Sequence, residues 1–271
     1  MKTIWRGAIS FGLVSIPVRV YTATEEKTLR FNQLHEKDHG RIRYKRVCVN
    51  EDVEIPFDEI VRGYEYEKDR YVIITDEDLD AVPVESSRAI DIQQFVDIDE
   101  IDPIYFKKSY YLGPEEAGAK AYHLLRQALR EGGKVGIAKV TFRDKEHLAA
   151  IRLAGDVLVL DTMFWPDEIR EAAIEGLEKD VSVRDQEVQM AQSLIENLTD
   201  EWEPDRYHDE YREALMEIVE KKVAGEEIEV IEPKEPAKVT DLMDALKQSV
   251  EATTKQAKPR KAASGRKKAA S

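Results

Sequence analysis

Cysteine is nearly absent: Cys48 stands alone in 271 residues. No internal disulfide is possible, and such usage fits a reducing compartment. No apolar run approaches the roughly 18 residues of a membrane span. The opening MKTIWR lacks the charged-then-apolar layout of a secretory signal. A cytoplasmic protein with no membrane partner is expected. The phosphate-cradling GxxxxGKS/T is missing, since Gly133-Lys134-Val135-Gly136 fails its spacing, and so are GxSxG and GxGxxG. No two carboxylates stand out as an acid/base couple. The five histidines, His35, His39, His123, His147 and His208, are scattered. A zinc site would have to join His35, His39 and Cys48. Structural zinc takes four ligands, usually with paired cysteines, and Glu51 stands where Cys-x-x-Cys would close. Neither metal nor cofactor is expected.

Cations are also in deficit, with 41 Lys and Arg against 55 Asp and Glu for a net charge of -14. The deficit is uneven. Residues 27–50 hold 7 basic and 2 acidic side chains, and residues 103–152 hold 10 and 5. Residues 51–102 hold 4 basic and 18 acidic, and residues 153–254 hold 10 and 28. The last 17 residues hold 7 basic and no acidic ones. Such segregation lets one surface attract a polyanion while the rest repels it.

The densest cationic stretch is HGRIRYKRVC at 39–48. On an extended strand Arg41, Arg43 and Lys45 share one face, roughly 7 Å apart at twice the rise per residue. Phosphates along one DNA strand are spaced on a similar scale, so this row can hold a backbone without reading bases. An ordinary solvated strand face is the alternative. A second basic zone at Lys134, Lys139 and Arg143, together with the acidic remainder, favours DNA. With Arg30 and Arg46 these are the candidate DNA-facing residues.

The first third reads as strand: Ile9, Phe11, Leu13 and Val18, Val20 alternate, and Gly12 and Pro17 punctuate. Pro17 argues for an edge, bend or bulge. Leu29–Leu34 continues the sheet in this reading, Arg41–Val47 is extended, and Glu65–Thr75 is a strand, so 30–75 forms a long β-excursion. Asp76-Glu77-Asp78-Leu79 starts a helix. Pro114-Glu115-Glu116 opens another, which Gly132-Gly133 ends. Val135–Phe142 and Leu153–Phe164 are strands. Helices follow near 186–198, 206–222 and 241–250. The stretch EEIEVIEPKEPAK is a linker by composition, and the end, KQAKPRKAASGRKKAAS, is basic, low-complexity and expected to be disordered.

Five strings resemble the bacterial Ku proteins: WRGAISFGLVSIPVRVY at 5–21, LHEKDHGRIRYKRVC at 34–48, GYEYEKDRYVIITDEDL at 63–79, SYYLGPEEAGAKAYHLLRQAL at 109–129 and YHDEYREAL at 207–215. They run in family order across nearly all of 1–225. The resemblance implies an α+β chain with a Ku-type β-barrel core over 1–180, including an arch at about 30–75. A C-terminal helical dimerisation arm would occupy 181–225. A linker and short partner-binding helix at 226–254 and a disordered basic tail at 255–271 would follow. It implies a homodimer that rings double-stranded DNA ends and recruits DNA ligase D in non-homologous end joining, in the cytoplasm at the nucleoid. The arch cations would face phosphates. Tyr207, Tyr211, Leu215 and Ile218 would meet the partner subunit, the ligase would read Leu242, Leu246 and Val250, and Lys255, Lys258, Arg260, Lys261, Arg266, Lys267 and Lys268 would tether DNA loosely. Some relatives carry a zinc-binding Cys-x-x-Cys starting where Cys48 stands. Cys48-Val49-Asn50-Glu51 departs from it, so the arch would keep its hairpin without metal. Barrel-like sequence starts by Ile9, so no N-terminal α/β domain is expected ahead of it. No enzymatic role is expected. Two competing readings are a lysine Schiff-base lyase acting on damaged ends and an acidic scaffold without DNA binding.

Overall fold

The strands β1 (Thr3–Phe11) and β2 (Val14–Thr22) form where alternation puts Ile9, Ile16, Val18 and Val20 on one face, and all four are fully buried. Gly12 at φ 57 supplies the left-handed residue of the tight connection. The structure, a computed structural model, describes residues 1–82, 88–142, 145–177, 181–226 and 242–256. It divides into two compact units, Met1–Ala172 and Ala173–Ser271.

The first unit is built on a closed barrel. After β2 come β3 (Arg62–Glu67), β4 (Arg70–Ile74), helix α1 (Asp76–Asp80) and β5 (Ala89–Asp97). Then follow β6 (Phe106–Pro114), helix α2 (Ala119–Gly132), β7 (Lys134–Phe142), β8 (Lys145–Ala154) and β9 (Val157–Met163). Seven strands close in the order β1-β2-β6-β9-β8-β7-β5. Neighbours are antiparallel except β1 and β5, which pair in parallel from Ala8 opposite Ala89 to Ser10 opposite Asp91. Ile90, Leu112, Val140, Ile151, Leu158 and Leu160 complete the core, each contributing about 1.5–3 kcal/mol over remaining exposed. A buried carboxylate also ties three strands together. Asp161 accepts from Arg152 Nε at 2.6 Å and from Ser109 Oγ at 2.5 Å.

Helix α2 closes one end of the barrel. Its buried Tyr122, Leu125 and Leu129 join the core. The Tyr122 hydroxyl donates to the Leu112 carbonyl at 2.7 Å and accepts from the Leu158 amide at 3.1 Å. Burial pushes its pKa up. Gly133 at φ 61 ends the helix and turns the chain straight into β7.

The structure amends several sequence expectations. Pro17 is not on an open edge. It sits where the β2–β6 ladder ends at Val18 opposite Pro114, and its carbonyl accepts from the Glu115 amide at 2.9 Å. Leu29–Leu34 makes no strand, only a single bridge from Leu34 to Arg41. Glu65–Thr75 is not one strand, because Asp69 at φ 61 turns it into the β3–β4 hairpin. Leu153–Phe164 is likewise divided by Gly155 at φ 57 into β8 and β9. The segment before Pro114, read as no element, is β6, and α2 starts only at Ala119.

The second unit holds α3 (Asp185–Leu198), α4 (Glu210–Ala224) and α5 (Leu242–Gln256). Asp209 caps α4, accepting from the Arg212 amide at 2.9 Å. Gly225 at φ 77 ends α4. Helix α5 packs on α3. Trp202 and Tyr207 stack at 5.2 Å. No described residue of this unit is buried. Among the described residues of the chain, no helix is long and apolar enough to cross a membrane.

Candidate nucleic-acid interface

The connection from β2 to β5 is the unusual part of the first unit. From Ala23 to Val82 no side chain is buried. Phe31, Tyr44, Phe57, Tyr64 and Tyr71 are 60–81% exposed. A segment this long without a core has no hydrophobic term to offset its ordering entropy. What holds it locally is backbone hydrogen bonding in three small closures. The loop 34–41 closes through the Leu34–Arg41 bridge, with His35 N to Gly40 O at 2.8 Å. The Asp38 carboxylate accepts from the Gly40 amide and the His35 ring, both at 2.9 Å, and these bonds hold its pKa below the usual carboxylate range. The loop 47–54 closes through the Val47–Glu54 bridge, with Cys48 N to Val53 O at 2.9 Å. The β3–β4 hairpin is the third.

Arg41–Val47 runs between the first two closures without a ladder, bridged only at its two ends. The expected strand face is therefore not fixed by a neighbouring strand. The cations on it differ. Lys45 is paired with Glu54 at 2.5 Å. The Arg46 guanidinium lies 5.1 Å from the Phe57 ring centre. Arg30, Arg41 and Arg43 are exposed and have no carboxylate partner among the described residues. Arg30 lines a cleft of about 600 Å³ at the foot of the excursion together with Glu25, Glu26, Lys107 and Lys108.

The second basic zone is already neutralised in part. Lys134 contacts both oxygens of Asp97 at 2.7 Å. Lys139 reaches Glu146 at 3.3 Å and lies 5.7 Å from the Trp165 ring centre. Arg143 lies outside the described residues, as do Lys258, Arg260, Lys261, Arg266, Lys267 and Lys268. Lys255 is on the last turn of α5 and Leu242 on its first, with their side chains undescribed. Leu246 and Val250 are half-buried. Tyr207 and Tyr211 are 71% and 76% exposed, Ile218 is exposed and Leu215 half-buried. Lys107, Lys108 and Lys145 were not singled out in the sequence, although the Lys107-Lys108 pair was a signal. They gather at the open end of the barrel. Among the described residues no three His, Cys, Asp or Glu side chains are grouped as a metal would need.

The site is thus a closed barrel with a long excursion that buries no side chain and, among the described residues, presents guanidinium groups without carboxylate partners. Residues 10–190 match the family described as Ku: Ku70/Ku80 beta-barrel domain. A protein of Desulfitobacterium hafniense named non-homologous end joining protein Ku is 50% identical over 254 residues, covering 93% of this chain and 88% of its own. Proteins of the same name from Bacillus subtilis and Archaeoglobus fulgidus are 46% and 43% identical, covering 93% of this chain and 84% and 99% of theirs. The chain belongs to the Ku family.

Proposed function

We propose that this protein binds the ends of double-stranded DNA without reading sequence, as one half of a homodimeric ring, in the repair of breaks by non-homologous end joining. The observation that carries the reading is the excursion from Ala23 to Val82, which buries no side chain and leaves Arg41 and Arg43 without a carboxylate partner among the described residues. Duplex DNA supplies both missing terms, a surface to order against and phosphates for the cations. Family membership supports the same role, and its setting is the nucleoid in the cytoplasm. No catalytic step is assigned. The test is a gel shift comparing a linear duplex with the same duplex closed covalently into a circle, at fixed salt. Retention of the linear form alone is expected, because a ring loads only where the helix has an end. Equal binding of both forms overturns end recognition.

The proposed partner beyond DNA is an end-joining ligase, DNA ligase D. Helix α5 carries Leu246 and Val250 on one stripe and, at 15 residues, is only marginally stable alone in water. It packs on α3, so the recruiting surface in this reading is the α3–α5 pair. The basic residues from Lys255 onward act separately as a loose DNA tether. Ending the chain at 253 is expected to weaken DNA binding at low salt and to leave ligase stimulation mostly intact. Ending it at 230 is expected to remove stimulation as well, while the ring still loads on ends and still scatters as a dimer. Full stimulation by the shorter chain rules out α5 as the recruiting element.

A further inference from the structure

Helix α2 plugs one end of the barrel, and among the described residues of the first unit no helix plugs the other. The open end is ringed by the start of β1, the ends of β2, β7 and β9, and the starts of β6 and β8. It contains a cavity of about 640 Å³, within the range of small-ligand sites. Three half-buried rings line it. Trp5 meets Phe142 edge-on at 5.3 Å, and Tyr110 meets Phe142 at 5.7 Å. Lys107, Lys108 and Lys145 line it too, and none has a carboxylate partner among the described residues of a chain that carries -14 overall. His147 sits among them. Burial first, then Lys107 and Lys145, hold its pKa below the ordinary histidine value, with Glu168 opposing. Both ammonium groups thus lie within electrostatic reach of the imidazole. Cations gathered without an ion-pair partner among the described residues repel one another, and a bound anion removes that cost. Rings beside them offer a face to a base.

We propose that this cavity takes one unpaired nucleotide, its base against Trp5, Tyr110 and Phe142 and its phosphate on Lys108 and Lys145. The excursion leaves the barrel at Thr22, which itself lines the cavity, so a strand end held under the excursion lies near the opening. The inference rests on the end-binding reading for that source of ligand. A free mononucleotide has the same chemistry and is the second source.

The experiment uses the full chain, a blunt duplex, and the same duplex carrying a three-nucleotide overhang with 2-aminopurine as its last base. The overhang is expected to bind about tenfold more tightly than the blunt end, the scale of one stacked base, and its fluorescence to be quenched. Lys108→Gln with Lys145→Gln is expected to remove the gain and the quench and to leave blunt-end affinity within about twofold, because in this reading neither lysine contacts the paired duplex. Arg at both positions is expected to restore them. Reversal of the quench by added dAMP extends the site to free nucleotides, and no effect of dAMP restricts it to strand ends. Equal affinity for both duplexes without quenching, or a quench unchanged in the Gln pair, overturns the site. Failure to bind even the blunt duplex overturns the end-binding reading instead.

Discussion

Arg41→Glu, Arg43→Glu and Lys45→Glu together are expected to abolish DNA end binding while the circular dichroism spectrum stays that of the parent chain. The fold tolerates the change because all three side chains are exposed. Only the exposed Lys45–Glu54 pair is lost from the intrachain set, which is worth about 0–1 kcal/mol. The effect on DNA is much larger. If each protomer neutralises about three or four phosphates, the dimer covers about six to eight, and log K against log salt falls with a slope near -5 to -7. Reversal turns the contacts of the unpaired Arg41 and Arg43 in each protomer into repulsions and sets a third new carboxylate beside Glu54, so affinity at moderate salt is expected to drop by at least about a thousandfold. Lys134→Ala or Lys139→Ala is expected to cost far less. Those ammonium groups already contact Asp97 and Glu146, and each can give up at most about one phosphate contact. A filter-binding series across salt, run on parent and variants, checks both statements. Undiminished binding by the triple variant removes this segment from the DNA-facing surface.

Light scattering at micromolar concentration is expected to give twice the chain mass of 31.1 kDa. The second unit has no buried residue among those described, yet Trp202, Tyr207 and Tyr211 are 71–76% exposed, and Met216, Ile218 and Val223 are exposed on α4. Leaving such side chains in water forgoes about 1.5–3 kcal/mol for each large one that a partner would bury. A second copy offers the same apolar set in return, as a two-fold interface requires. Tyr211→Asp with Ile218→Asp places two carboxylates in that interface and is expected to yield the 31.1 kDa species. End binding is expected to fall by more than about a hundredfold, since half a ring has half the phosphate contacts. A parent chain that scatters as a folded monomer sinks the dimer, and dimeric scattering by the Asp pair moves the interface away from α4.

Local pattern carried much of this protein. Alternation at Ile9, Ile16, Val18 and Val20 marked core strands because burial selects one face of a pleat. Asp76-Glu77-Asp78-Leu79 marked α1, and the structure adds the Thr75 cap, whose hydroxyl accepts from the Asp78 amide at 3.2 Å. Gly132-Gly133 marked the end of α2. The cationic row was legible because its carboxylate-free run stands out in an acidic chain. Where pattern failed, the deciding partner was distant in sequence. Strand β6 was missed because its register shifts between Phe106 and Lys108 break the alternation, and its place between β2 and β9 depends on residues far away. Long apolar or charged runs hid the turns at Asp69 and Gly155.

Composition and periodicity, then, determined by themselves the strands and helices with strong local signals and the segregation of charge, while the family likeness rests on resemblance of the long strings from 5 to 215. Only the tertiary structure decided which cations are neutralised. Lys134 and Asp97 are 37 residues apart, and they meet only because β5 pairs with β7. It also decided that the excursion buries nothing, that α2 plugs one end of the barrel, and that Trp5, Tyr110, Phe142, Lys108 and Lys145 share the other. The physical reason is one of range. Backbone preference and capping act within a few residues, whereas burial, ion pairing and cavities are set by which segments closure of the barrel brings together.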